Sequence, residues 1–129
     1  MINAIGIALT GLNSASLRIN SSAANIANVT TEGSLNDTNT PPYTPTTTQS
    51  KAQGSLGGVQ TDIVPKNNPF TQSFDPDSPF ANEEGIVGIP NVNLAEEVVN
   101  VKIAALSYEA NLSTIKVAGE LFDELLDTI

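Results

Sequence analysis

Cysteine, histidine and tryptophan are all absent from this 129-residue chain. Without cysteine there are no disulfides and no thiolate nucleophile or metal ligand. Without histidine the commonest general base and the commonest metal ligand are missing as well. Carboxylate pairs and Ser–Lys pairs are the catalytic chemistries left formally open, and the chain does not read as an enzyme. Basic residues are scarce too, 5 against 14 acidic ones for a net charge of −9. Phosphate and anionic-lipid surfaces are held by Lys and Arg clusters, so neither nucleic acid nor a membrane surface is an expected partner. No apolar run approaches the roughly 20 residues that span a bilayer. The first residues lack a basic n-region, and the short run Ile5–Leu9 leads into Thr10-Gly11. We therefore expect no cleavable secretory signal. With only six aromatic residues, any core must rest on Ile, Leu, Val and Ala. The four glycosylation-like sequons, at Asn20, Asn28, Asn36 and Asn111, read as chance.

Punctuation divides what remains. All eight prolines lie between Pro41 and Pro90, and six of the nine glycines between Gly33 and Gly88. The proline-free ends predict a mainly α protein with three segments: an N-terminal helix in 1–29, a turn-rich centre in 30–91 and a C-terminal helix in 92–129. In the first, Ile2, Ile5, Leu9, Leu12, Ser16, Ile19, Ala23 and Ile26 recur in alternating steps of three and four, a heptad seam. In the last, Leu94, Val98, Val101, Ala105, Tyr108, Leu112, Ile115, Gly119, Phe122, Leu126 and Ile129 do the same. Asn93 with Glu96 suggests a capping box, and Glu96 and Glu97 suit the positive end of the helix dipole. In the centre, 34–56 is Thr-, Ser- and Pro-rich and reads as a mobile or locally extended loop. Val59–Ile63 and Gly85–Ile89 carry short strand signals, and the expectation is a small irregular β insert at most.

The oxygen-rich stretch Asp75–Gly85 departs from a Ca²⁺ loop at Pro79-Phe80, and a pair of Asx-type turns explains it equally well. Glu120, Asp123, Glu124 and Asp127 gather at the end of the C-terminal helix, where negative charge opposes the dipole. They read as a polar face, and a partner supplying cations would relieve them. Tyr108 reads as a core residue with its hydroxyl at the edge. No cofactor, metal or small-molecule substrate is implied.

The N-terminal helix is the more informative one. Arg18 is the only charged residue among the first 31, although solvated helices normally carry paired Lys and Glu. Its polar positions are short Ser, Thr and Asn, interleaved with Gly6, Ala8, Gly11, Ala15, Ala24 and Ala27. Small uncharged residues pack closely and are buried more cheaply than ions, as in a helix covered on all sides in a polymer. The rival reading is a soluble helical hairpin that holds one partner helix.

The run Ala24-Asn25-Ile26-Ala27-Asn28-Val29-Thr30-Thr31-Glu32-Gly33 resembles the A-N-x-A-N-x-x-T-x-G signature of the flagellar rod and hook family. Asp75-Pro76, Ala81-Asn82-Glu83-Glu84-Gly85, Pro90–Glu97 and Ser107–Asn111 resemble the C-terminal half of its FlgC-type proximal rod members, and Pro42-Tyr43 the start of their central segment. Residues 44–58 depart from that pattern, being Thr- and Ser-rich where basic residues are common. The resemblance implies that the terminal helices pair as an antiparallel coiled coil and stack into a periplasmic tube of the basal body. That tube transmits torque, and its subunits leave the cell through the flagellar type III apparatus. Copies of the chain and other rod subunits are the implied partners. The residues expected to carry assembly are Ile5, Leu9, Leu12, Ile19, Ile26, Leu94, Val98, Val101, Tyr108, Leu112, Ile115, Phe122 and Leu126.

Overall fold

Two long helices enclose two β-hairpins in chain order. A computed structural model describes residues 2–54 and 57–128. The seam positions Ile2, as a side chain, and Ile129 lie outside the described residues. Helix α1 spans Ile2–Ala27 and helix α2 spans Leu94–Asp127. Between them come β1 (Thr46–Ala52), β2 (Val59–Pro65), β3 (Phe70–Phe74) and β4 (Ile86–Pro90).

The helix ends follow local chemistry. At the end of α1 the Asn28 amide donates to the Ala24 carbonyl at 2.9 Å, and Thr31 donates its hydroxyl to Asn28 Oδ1 at 3.2 Å. The β-branched run Val29-Thr30-Thr31 then leaves the helix. At the start of α2, Asn93 Oδ1 accepts the N–H groups of Ala95 and Glu96 at 3.1 and 3.3 Å, an N-cap. The reciprocal half of a capping box is missing, because the Glu96 carboxylate turns to Lys66, 4.0 Å away.

The helices run side by side in opposite directions. Asn25 touches Glu97, and Gly11 lies against Asn111. That register places Arg18 level with Ala104, and α2 from Phe122 onward projects beyond the start of α1.

The centre is more ordered than its composition suggests. β1 and β2 form an antiparallel sheet from Thr46↔Pro65 to Ala52↔Val59. β3 and β4 form a second, from Phe70↔Pro90 to Phe74↔Ile86. This corrects two expectations. β1 lies within 34–56, expected to be a loop, and the strands are a larger part of the molecule than a small insert. β1 has no apolar alternation to announce it. Its β-branched threonines become a strand by pairing with β2 and by resting on α1. β3 carried no usable signal either, since its partner β4 supplies its order. In the Asp75–Gly85 segment, Asn82 Oδ1 accepts the N–H groups of Glu84 and Ile86, so this oxygen closes a turn.

The first hairpin rests on α1 through hydroxyls rather than through an apolar layer. Thr61 donates to Ser14 at 2.7 Å, Ser50 pairs with Thr61 at 2.8 Å, and Ser21 pairs with Thr46 at 2.9 Å. At the tip, the Val59 N–H reaches Thr10 Oγ1 at 3.0 Å. Gly58 makes this approach feasible: its φ is +93°, and a Cβ there would press on the Thr10 side chain.

Candidate assembly surfaces

The contact line between the helices is built of small residues. On α1, Ala8, Ala15, Ser22 and Asn25 are buried, and on α2, Glu97, Ala104 and Ala118. A Cβ at Gly11 would collide with the Asn111 amide. Relative to the heptad seams read from the sequence, the line is displaced at alternate layers by one residue. Ala8 takes the place of Leu9, Ala15 of Ser16 and Ser22 of Ala23. In α2, Glu97 takes the place of Val98, Ala104 of Ala105 and Ala118 of Gly119. Small residues let the helix axes come close, and the bulky neighbours are turned outward.

The thirteen residues expected to carry assembly therefore divide. Ile5, Leu12, Ile19, Ile26, Val101, Ile115 and Phe122 are partly covered within the chain. Leu9, Leu94, Val98, Tyr108, Leu112 and Leu126 are exposed. A second group was not picked out by the heptad reading. Val99, Ile103, Leu106, Val117 and Leu121 lie along the far side of α2 from α1, each 46–66% exposed. Val99, Ile103, Leu106 and Ala110 follow one another at steps of four, three and four, and Val117 and Leu121 resume the same face seven residues on, past Ser113 and Thr114, a second apolar stripe with one polar break. The heptad seam is thus one of two apolar stripes on α2.

At the junction of the helices with the first hairpin lies a buried polar hub. Glu97 is 2% exposed. Its Oε1 accepts Lys66 Nζ at 2.7 Å and Asn25 Nδ2 at 2.9 Å. Asn25 also donates to the Thr46 carbonyl at 2.7 Å and accepts the Thr46 N–H at 2.9 Å and the Tyr43 hydroxyl at 3.2 Å. Burial pushes the Glu97 carboxyl up. Hydrogen bonds from Lys66, Ser22 and Asn25, with the Lys66 charge, outweigh this and hold it below the usual carboxylate range. One side chain of the Ala24–Gly33 run thus ties α1, the hairpin and α2 together. Gly33, in the same run, bridges Gly88 of β4 and lies so close to Pro41 and Pro42 that a Cβ would not fit.

No group of three or more Asp or Glu side chains positioned to hold a metal ion occurs among the described residues. No helix there is long and apolar enough to cross a membrane.

Residues 83–128, which include all of α2, match the family model for the flagellar basal body rod FlgEFG protein C-terminal region. The flagellar basal-body rod protein FlgC of Escherichia coli O6:H1 is 31% identical over 124 residues, covering 90% of each chain. The FlgC of Agrobacterium fabrum is 31% identical over 131 residues, covering 95% of this chain and 91% of its own. The FlgC of Aquifex aeolicus is 27% identical and covers 98% and 96%. The chain belongs to the FlgC family of flagellar basal-body rod proteins. This is a family of structural proteins, not of enzymes, and the rod and hook signature is the run that supplies the hub residue Asn25.

Proposed function

We propose that the chain is a building block of the flagellar rod and assembles, with copies of itself and other rod subunits, through its terminal helices. The exposed stripe Val99, Ile103, Leu106, Val117 and Leu121 carries this reading. Apolar surface so extended on a helix already packed on its other side asks for a neighbour. Leu9, Leu94, Val98, Leu112 and Leu126 offer further contacts of the same kind. In this reading α1 and α2 wind about each other as a coiled coil, neighbouring pairs close a tube, and the hairpins fill its outside. The tube stands in the periplasm, transmits torque, and receives subunits through the flagellar export apparatus without a cleaved signal. The inter-subunit residues are those named above.

The test is a cryo-EM map of the parent basal body combined with the variant Leu106→Asp. The map should place Leu106 against a neighbouring subunit, and the variant should be folded yet fail to build a rod. A rod in which Leu106 faces solvent, or normal rod assembly by the variant, would overturn the reading.

A further inference from the structure

Each helix has a face turned away from the other, and the two faces differ in kind. On α2, Val99, Ile103, Leu106, Val117 and Leu121 form the stripe, each 46–66% exposed. On α1, Gly6, Leu9, Asn13, Ser16, Asn20, Ala23 and Ala27 recur at steps of three and four. They lie away from Ala8, Ala15 and Ser22, which are buried in the line facing α2. All but the half-buried Ser16 are exposed. No side chain on this face is charged, and apart from Leu9 and the two asparagines all are small. Arg18, the only charged residue of α1, points elsewhere, lining a cavity between α1, α2 and β1. A face of Gly, Ala and Ser leaves room between its turns for a ridge of branched side chains.

Charge selects what the stripe can meet. Helix α2 carries seven acidic residues and two lysines. Two copies meeting stripe to stripe would set two such acidic helices side by side, and like charges so placed cost free energy. The outer face of α1 carries no charge to repel them. Nor would docking there bury an unpaired carboxylate from α1, which has none.

Length agrees with charge. At 1.5 Å per residue the stripe from Val99 to Leu121 runs roughly 33 Å, and the α1 face from Gly6 to Ala27 roughly 32 Å. The middle of the stripe is Ala110, and the middle of the α1 face lies between Ser16 and Leu17. With the two middles level, Asn13 or Asn20 comes beside Ser113 and Thr114 whichever way the helices run. The polar break in the stripe then meets an amide that can hydrogen-bond with it.

We infer that the apolar stripe of α2 docks on the outer face of α1 of a second copy of this chain. The inference rests on the self-assembly reading above and says which faces meet. Because the two faces are unlike, the contact is head-to-tail and continues from copy to copy unless it closes a ring.

The full-length chain has no cysteine, so single engineered thiols on two chains report on this contact. Ala110→Cys mixed with Ser16→Cys should give a disulfide-linked pair under mild oxidation, and Ala110→Cys mixed with Gln49→Cys, on the hairpin, should not. Adding Asn20→Asp to the Ser16→Cys chain should weaken the coupling about tenfold, and Asn20→Lys should weaken it less. Sedimentation of the wild type runs alongside. If the wild type associates but the helix pair does not couple, the outer face of α1 is not the partner and self-assembly stands. If Ala110→Cys couples chiefly to itself, the stripes meet each other and the proposal fails. If Asn20→Asp and Asn20→Lys act alike, charge does not choose the face and the assignment of α1 falls. If the wild type does not associate at any concentration, both readings fall together. Crosslinking of Ala110→Cys in isolated basal bodies only to a different rod subunit overturns the second-copy assignment.

Discussion

Glu97 lies against Lys66, Oε1 to Nζ at 2.7 Å, and the Glu97 side chain is almost wholly shut off from water while the Lys66 side chain is 22% exposed. The pair joins the first turn of α2 to the residue after β2, and Asn25 brings α1 to the same oxygen. A contact line of alanines and other small residues fits nearly as well when slid by a turn. A buried polar group with only one set of partners does not, and a register role of this kind is the best-attested use of such groups. Glu97→Ala should therefore destabilise the folded chain by about 1–3 kcal/mol, since it leaves Lys66 with only Glu96 at 4.0 Å and takes from the Asn25 amide one of its two acceptors. Urea unfolding of both proteins checks this. A loss below about 0.5 kcal/mol, the range of ordinary surface changes, would show that small-residue packing alone fixes the helices.

Acid should loosen the same joint. The folded carboxyl of Glu97 is held below its ordinary value of 4.5. The folded state therefore binds this proton less readily than the unfolded state. Its contribution is fully present above 4.5 and is lost as pH falls through the lower folded value. Wild-type stability should drop over that window, and Glu97→Gln, which cannot titrate, should show a shallower decline. Parallel pH profiles for the two proteins would remove Glu97 from the account.

Gly11 lies against the Asn111 amide where α1 meets α2. Gly11→Val should cost about 1–3 kcal/mol by overpacking, beyond any gain in helix propensity over glycine. Asn111→Ala should restore part of it, because the amide is the colliding group. Additive losses in the double variant would mean that the two sites do not share this contact.

Leu112→Asp separates folding from assembly. Leu112 is 50% exposed, so the isolated chain should lose little stability, within about 0.5 kcal/mol as at most surface sites. Rod assembly, which in our reading buries it, should fail, while Glu109→Ala should be mild in both respects. Thermal melts and motility of the two variants provide the check. Equal motility would remove Leu112 from the interface.

The hydroxyl attachment of the first hairpin predicts a different pattern. Thr61→Val preserves shape but deprives Ser14 and Ser50 of their partner. It should cost about 1–2 kcal/mol, the usual penalty for unpaired polar groups. The loss should be concentrated in the hairpin, read as faster amide exchange at residues 46–52 and 59–65 with α2 unchanged. Uniform acceleration through α2 would mean that hairpin and helices unfold as one unit.

The sequence by itself determined the two helices, their N- and C-terminal positions and the kind of neighbours they suit. Proline exclusion, apolar periodicity and the Asn93 cap are local properties, and an uncharged, small-residue helix carries its packing preference in its composition. It also carried the Ala24–Gly33 run, but not what Asn25 does. That side chain acts by meeting Thr46, Tyr43 and Glu97, residues 18 to 72 positions away. β1 and β3 were illegible for the same reason, since each is ordered by its partner strand and not by an alternating pattern of its own. Which face of each helix turns inward was likewise a tertiary decision. Heptad reading ranks bulk, so it favoured Leu9, Val98 and Leu112. The folded pair instead chose closeness, turning in Ala8, Ala104 and a Glu97 that could be buried only because Lys66 and Asn25 were waiting for it.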